Sequence, residues 1–150
     1  MIAVDTNILV YTEDRADRLG RRDLALAMME KMTAGGHVIP CQVFAEFINA
    51  CTKKKFLSLD MAIAKSNLYA EVFETPSTTY KDLIEATRYL GNFNLQYFDA
   101  LIVAVANRAG AVILISEDMH DGLEIDGLRI VNPFAAANET LLADYFAADL

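Results

Sequence analysis

A chain of 150 residues with 54% apolar and 23% charged side chains has the composition of a packed globule, not of a disordered tract. Its net charge of −8 argues against a general nucleic-acid coat, which needs a basic field, but not against an enzyme that meets nucleic acid through a divalent metal. No apolar run reaches membrane-spanning length, Met1-Ile2-Ala3-Val4 carries no basic leader, and Cys41 and Cys51 fit no metal or redox spacing; one domain over 1–150 in a reducing cytoplasm is expected.

In chain order, Ile2-Ala3-Val4 is a continuous apolar run, interrupted by Asp5-Thr6-Asn7 and resumed by Ile8-Leu9-Val10. This predicts a buried strand followed at once by a short helix, with Asp5 at the strand end, where open α/β sheets bind ligands. Asp5, Thr6 and Asn7 also suit a plain helix cap. A polar connection over 12–20 leads to a predicted helix over 21–34 with Leu24, Ala27, Met28 and Met32 on its apolar stripe, ended by Gly35-Gly36. Residues 37–40 read as a second short strand, with His37 structural. The spacing of Val43, Phe44, Phe47, Ile48 and Cys51 predicts a helix over 41–54. Glu46 lies within that run, and Lys53-Lys54-Lys55 at its end complements the helix dipole.

Ser58 is placed to cap a helix over 59–73, with Ala62, Ile63, Leu68, Tyr69 and Val72 as its core residues. A turn over 76–79 leads into a brief strand, and an amphipathic helix follows over 80–90, ended by Gly91-Asn92. Residues 97–109 are apolar all round after Asp99, which predicts a centrally buried helix. The run 111–116 is the clearest strand, 117–122 a turn beyond it, and 125–128 a tight turn before a last strand over 129–131. A tail over about 135–150 carries Leu141, Leu142, Tyr145 and Phe146 at helical spacing. Strands alternating with helices imply an α/β fold: a three-layer α/β/α sandwich around a central, mainly parallel sheet of four to five strands.

Four acids stand out by position. Asp5 follows the first strand, Glu46 sits in an apolar helix, Asp99 opens the buried helix, and Asp118 lies just beyond the strongest strand. Each has a plainer explanation: a cap for Asp5, a solvent-reaching edge for Glu46, the helix dipole for Asp99 and turn chemistry for Asp118. Their joint placement at element ends points instead to a shared site. Hard divalent ions take a few carboxylates as ligands, and clustered carboxylates without a cation repel and take up protons. The chain has no Cys/His cluster, no glycine-rich phosphate loop and no nucleophile elbow, so metal-assisted phosphodiester hydrolysis is the chemistry that fits.

The stretch from Val4 to Tyr11, the mid-helix Glu46, Tyr97-Phe98-Asp99-Ala100-Leu101-Ile102 and Ile115-Ser116-Glu117-Asp118-Met119 together resemble the motifs of PIN domains, most closely the small bacterial branch typified by VapC toxins. The resemblance implies that Asp5, Glu46, Asp99 and Asp118 are the acidic metal-binding quartet, with Asn7 and Ser116 orienting ligands or water behind them. Asp121 is a candidate further carboxylate. It also implies a Mg²⁺- or Mn²⁺-dependent endoribonuclease, often a homodimer, with an RNA substrate and a small antitoxin partner that inserts a basic residue into the acidic site. The expected products carry 5′-phosphate and 3′-hydroxyl ends. Where the family usually has Arg or Thr before the last acid, this chain has Glu117, a second negative charge nearby. Arg15, Arg18, Arg21, Arg22 and Lys53 to Lys55 are candidate RNA-backbone contacts, set against the commoner reading of solvated surface charge. Two other readings stand beside the ribonuclease: a non-catalytic module of the same fold that holds a basic peptide or RNA, and a phosphatase or phospho-acceptor α/β domain with Asp5 as nucleophile.

Overall fold

The computed structural model describes residues 1–148, so the last two residues of the expected helical tail lie outside the described residues. Strand β1 (Ile2–Val4) is buried along its whole length. The Asp5 side chain caps the helix that follows, α1 (Thr6–Glu13), accepting from the Thr6 backbone N–H. Five further helices intervene before the next strand of the sheet: α2 (Arg21–Met32), α3 (Cys41–Lys53), α4 (Leu59–Val72), α5 (Tyr80–Asn92) and α6 (Tyr97–Arg108). Then come β2 (Ile113–Ile115), β3 (Glu124–Ile125), β4 (Leu128–Val131), a single 3₁₀ turn (Ala136–Asn138) and α7 (Glu139–Ala148).

The sheet has the order β1-β2-β4-β3. Val4 pairs with Ile115 and Ile115 with Val131, both in parallel register, while Ile125 pairs antiparallel with Leu128. Asp126 and Gly127 connect that hairpin with φ of 49° and 90°. Positive φ at both central residues matches the right-handed twist of the flanking strands, and an Asp-Gly pair is suited to it. Helices flank the sheet as expected of an α/β sandwich. Helix α6 is buried from Ala100 through Ala106, which agrees with its apolar circumference, and it packs against α5, while α3 packs between α1 and α4. The core continues through β1, β2 and β4 to Phe47, Ile102 and Ile125.

The fold departs from the sequence reading in several segments. Residues 37–40 do not form a full strand: Val38 makes single parallel bridges, to Ala3 on one side and Glu74 on the other. Pro40 has no N–H to continue the ladder, and α3 starts immediately after it. No brief strand follows the turn at 76–79. Thr79 instead forms a capping box with Asp82 at the head of α5, and Arg108 clasps the same buried carboxylate at 2.8 Å. In α4, Ile63, Leu68 and Val72 are exposed and only Ala62 and Ser66 are buried. In α2, Ala25 and Met29 are buried in place of Leu24 and Ala27. Both helices have apolar residues on more than one face, and the pattern alone does not choose which face meets the core. His37 is structural, as read: it is buried, and its Nδ1 accepts the Ile2 backbone N–H at 3.1 Å.

Candidate active site

The geometry of the site begins with the end of β1. The Asp5 backbone N–H still donates to Ile115 at 3.0 Å, so the residue belongs to the sheet edge while its side chain turns toward α1. Asp5 is 5% exposed. One carboxylate oxygen accepts the Thr6 N–H at 2.6 Å; the other accepts the Ser116 hydroxyl at 2.6 Å and the Asn7 amide at 3.0 Å. Ser116 is the first residue past β2, and the parallel register of β1 and β2 is what brings it to Asp5. Its oxygen also accepts the Met119 N–H at 3.3 Å, which shapes the turn carrying Asp118. Burial pushes the Asp5 carboxyl up to about 7; the bonds from Ser116 and Thr6 oppose this, and the charges of Asp99 and Glu46 add to it.

Glu46 reaches the same place from α3. Thr6 Oγ1 donates to one of its oxygens at 2.7 Å, and Gln42, one turn earlier on α3, donates to the other at 2.6 Å. The Gln42 amide also donates to the Phe98 carbonyl at 3.1 Å, tying α3 to the first turn of α6 beside Asp99. The Asp99 carboxyl is raised above its ordinary value, first by burial and then by the charges of Glu46 and Asp118. Asp5, Glu46, Asp99 and Asp118 therefore line one depression of about 260 Å³, together with Tyr11 and Lys54.

The donor set is oxygen only, the chemistry of a hard divalent cation. Burial is the main cause that raises both Asp5 and Asp99, and neighbouring charge adds to it, from Asp99 and Glu46 on the first and from Glu46 and Asp118 on the second; that added repulsion is what such a cation relieves. Among the described residues, no three His, Cys, Asp or Glu side chains already converge at ligating distance of a single point. Asp5 and Glu46 are instead turned to their own hydrogen-bond donors, Ser116 and Thr6 for one and Thr6 and Gln42 for the other. The donor chemistry fits the ion, and convergence on it requires side-chain rotation.

Asn7 stands where the sequence placed it, donating to Asp5 and accepting the Glu117 N–H at 3.3 Å. Asp121 does not. Its carboxylate accepts the Asn132 N–H at 2.8 Å and the Asn138 amide at 2.9 Å, so it fastens the segment after β4 and does not line the depression. The chain beyond His120 turns toward the segment after β4, which carries Asp121 to Asn132 and Asn138. Glu117 is not an unopposed second charge: it accepts from the Tyr11 hydroxyl and lies 3.3 Å from the Arg21 guanidinium, which also donates to Tyr11 at 3.2 Å and covers its ring. Burial first, and Glu117 next, raise the Tyr11 phenol to about 12. Of the other basic candidates, Lys54 lines the depression, Arg22 donates to the Thr12 carbonyl, and Arg15, Arg18, Lys53 and Lys55 are exposed. Thr6, Gln42 and Tyr11 are site residues the sequence reading did not single out; Gln42 was detectable, because it stands four residues before Glu46 on one helix face.

The arrangement can be set beside known proteins. The chain is 29% identical to ribonuclease VapC7 of Mycobacterium tuberculosis over 96% of its own length and 99% of that protein. In fold it is similar to VapBC2 from Rickettsia felis, solved bound to a promoter DNA fragment, with a TM-score of 0.65 and 19% identity over 88% of this chain and 98% of that one. It is also similar in fold to VapC20 of Mycobacterium tuberculosis, a sarcin–ricin loop cleaving toxin, with a TM-score of 0.60 and 18% identity over 76% of this chain and 87% of that one. Among the described residues no helix is long and apolar enough to cross a membrane. The model of the PIN domain family matches residues 2–120, a span that runs from β1 through the turn bearing Asp118 and takes in all four carboxylates, and the chain belongs to that family.

Proposed function

We propose that the chain is an endoribonuclease that hydrolyses RNA phosphodiester bonds with a Mg²⁺ or Mn²⁺ ion, and that it is the toxin of a type II toxin–antitoxin pair. The observation that carries this reading is the depression in which four carboxylates from four separate elements meet, with burial and mutual charge lifting Asp5 to about 7. Kinship with a VapC ribonuclease along nearly the whole chain supports the choice of RNA as substrate and of an antitoxin as partner. Solved complexes of VapBC pairs on the same fold support the partner. A homodimer is part of the same proposal, as is a single domain comprising the whole chain.

Asp5, Glu46 and Asp99 would hold the principal ion, and Asp118 would complete the site or hold a second one. When bound, the ion supplies positive charge that offsets the carboxylates and the phosphoryl oxygens, and it acidifies the attacking water. The protein's own part is orientation. Ser116, Thr6 and Asn7 engage Asp5 at the buried end of β1, Gln42 and Thr6 engage Glu46 on α3, and these donors would steer the two carboxylates as they rotate onto the ion. Lys54, at the edge of the depression, is placed to meet a phosphate oxygen.

The test is cleavage of RNA with added Mg²⁺ or Mn²⁺, against EDTA and an Asp99→Asn variant. Cleavage that stops under both treatments is the expected result; activity surviving both would overturn the assignment. Metal-independent binding of RNA or of a basic peptide, without any cleavage, would favour the non-catalytic module.

A further inference from the structure

Asp99 and Asp118 border a second depression, of about 250 Å³, whose other walls are Asn94, Leu95 and Gln96 from the α5–α6 connection and Met119 and His120 from the turn after β2. The two carboxylates are thus a ridge common to both depressions. We propose that this second depression is a nucleobase subsite, and that Asn94, Gln96 and His120 select the base on one side of the cleaved bond. The proposal rests on the ribonuclease reading and deepens it.

The occupant follows from charge and from unused hydrogen-bonding capacity. A phosphodiester held over the carboxylates carries a nucleotide on each side, and two depressions flank the ridge. The first includes Lys54, whereas the second has no lysine or arginine in its lining and has two carboxylates at its margin. With no cationic side chain in its lining it offers a phosphate nothing to pair with and suits a neutral group. The lining is mainly polar, with little apolar surface from Leu95 and the buried Met119, so the stacking partner for a base is the His120 imidazole, one of the side chains on which unstacked RNA bases rest. Asn94 and Gln96 each present two donors and one acceptor, and base edges carry donors and acceptors mixed.

Neither amide is otherwise engaged. Gln96 occupies the N-cap position of α6, where Ser, Thr, Asp or Asn would satisfy the first N–H groups, yet its side chain makes no capping bond. Asn94, Gln96 and His120 are all exposed, and among the described residues none of the three side chains makes a hydrogen bond within the protein. Three polar side chains aimed around one concave wall, with no internal role, fit the reading of a ligand edge.

The experiment compares the cut sites of wild type, Asn94→Ala, Gln96→Glu and His120→Ala on a pool of short random-sequence RNAs in Mn²⁺, followed by KM and kcat on the preferred sequence. Gln96→Glu keeps the shape and removes both amide donors. Expected is a changed or relaxed base preference at one position beside the cut, with KM raised roughly tenfold and kcat within about threefold. Thermal melts matching wild type exclude misfolding, since all three side chains are exposed. Unchanged preference and unchanged KM in all three variants would overturn the subsite while leaving the ribonuclease intact. A wild-type protein that cuts none of the pool would overturn both.

Discussion

Replacing Asp5 by asparagine is expected to stabilise the metal-free protein at neutral pH while abolishing its response to divalent metal. The buried carboxyl lies at about 7 in the folded chain against an ordinary value of 3.8. At about 1.4 kcal/mol for each tenfold in proton affinity, ionised Asp5 costs the fold roughly 4 kcal/mol. The sign follows from a folded value raised above the unfolded one. Below 3.8 the carboxyl is protonated in both states and nothing is lost; stability then declines as pH rises toward 7 and stays level beyond it. Asparagine keeps the Thr6 bond through its oxygen but turns an amide toward Ser116 and Asn7, which forfeits about 1 to 2 kcal/mol. The net gain at alkaline pH is therefore about 2 kcal/mol, or roughly 4 to 8 °C in Tm for a chain of this size. Thermal unfolding in EDTA between about pH 4.5 and 8.5 checks it. The wild-type Tm should fall across that range while the variant stays nearly flat in comparison, and added Mn²⁺ should raise only the wild-type Tm. Parallel profiles would refute the claim that burial, with the neighbouring charges adding to it, makes ionised Asp5 costly to the fold.

Two further outcomes follow from contacts around the site and behind it. Glu117→Gln should bring the Tyr11 phenol down from about 12 toward its ordinary 10, read by ultraviolet titration of the phenolate with Tyr11→Phe as the subtraction control. Asp82→Ala removes the capping box of α5 and the partner of Arg108, at a cost of about 2 to 3 kcal/mol in urea unfolding at neutral pH. Burial pushes the Asp82 carboxyl up, but the bonds from Arg108 and Thr79 together outweigh it and hold the group below 3.8. The difference between wild type and Asp82→Ala should accordingly shrink as pH falls beneath that value.

Much of the architecture was readable because the decisive segments are unambiguous in kind. Ile2-Ala3-Val4 and Ile113-Leu114-Ile115 are buried on both faces and therefore show as unbroken apolar runs, and α6 has no polar face from Ala100 to Ala106. Edge elements were harder. A single bridge at Val38, the two-residue β3 and the exposed stripe of α4 depend on what lies beside them, which local periodicity does not encode. The four acids were legible because each sits at an element end or inside an apolar helix. Their partners were not, since Thr6 reaches Glu46 and Tyr11 reaches Glu117 only after α3 and β2 are docked on α1. The same holds for the pairing of Arg21 with Glu117, which converts an apparent excess of negative charge into a neutral pair. Asp121 looked like its neighbour Asp118 in the sequence and was separated from it only by the course of the turn.

The bond between Asp5 and Ser116 spans 111 residues, and β1 waits through six helices for the strand it pairs with. The wall of the depression is completed only when β2 and the turn after it dock beside β1, so shortening the chain before Ser116 would leave Asp5 without that partner and the depression without Asp118, one of its four carboxylates.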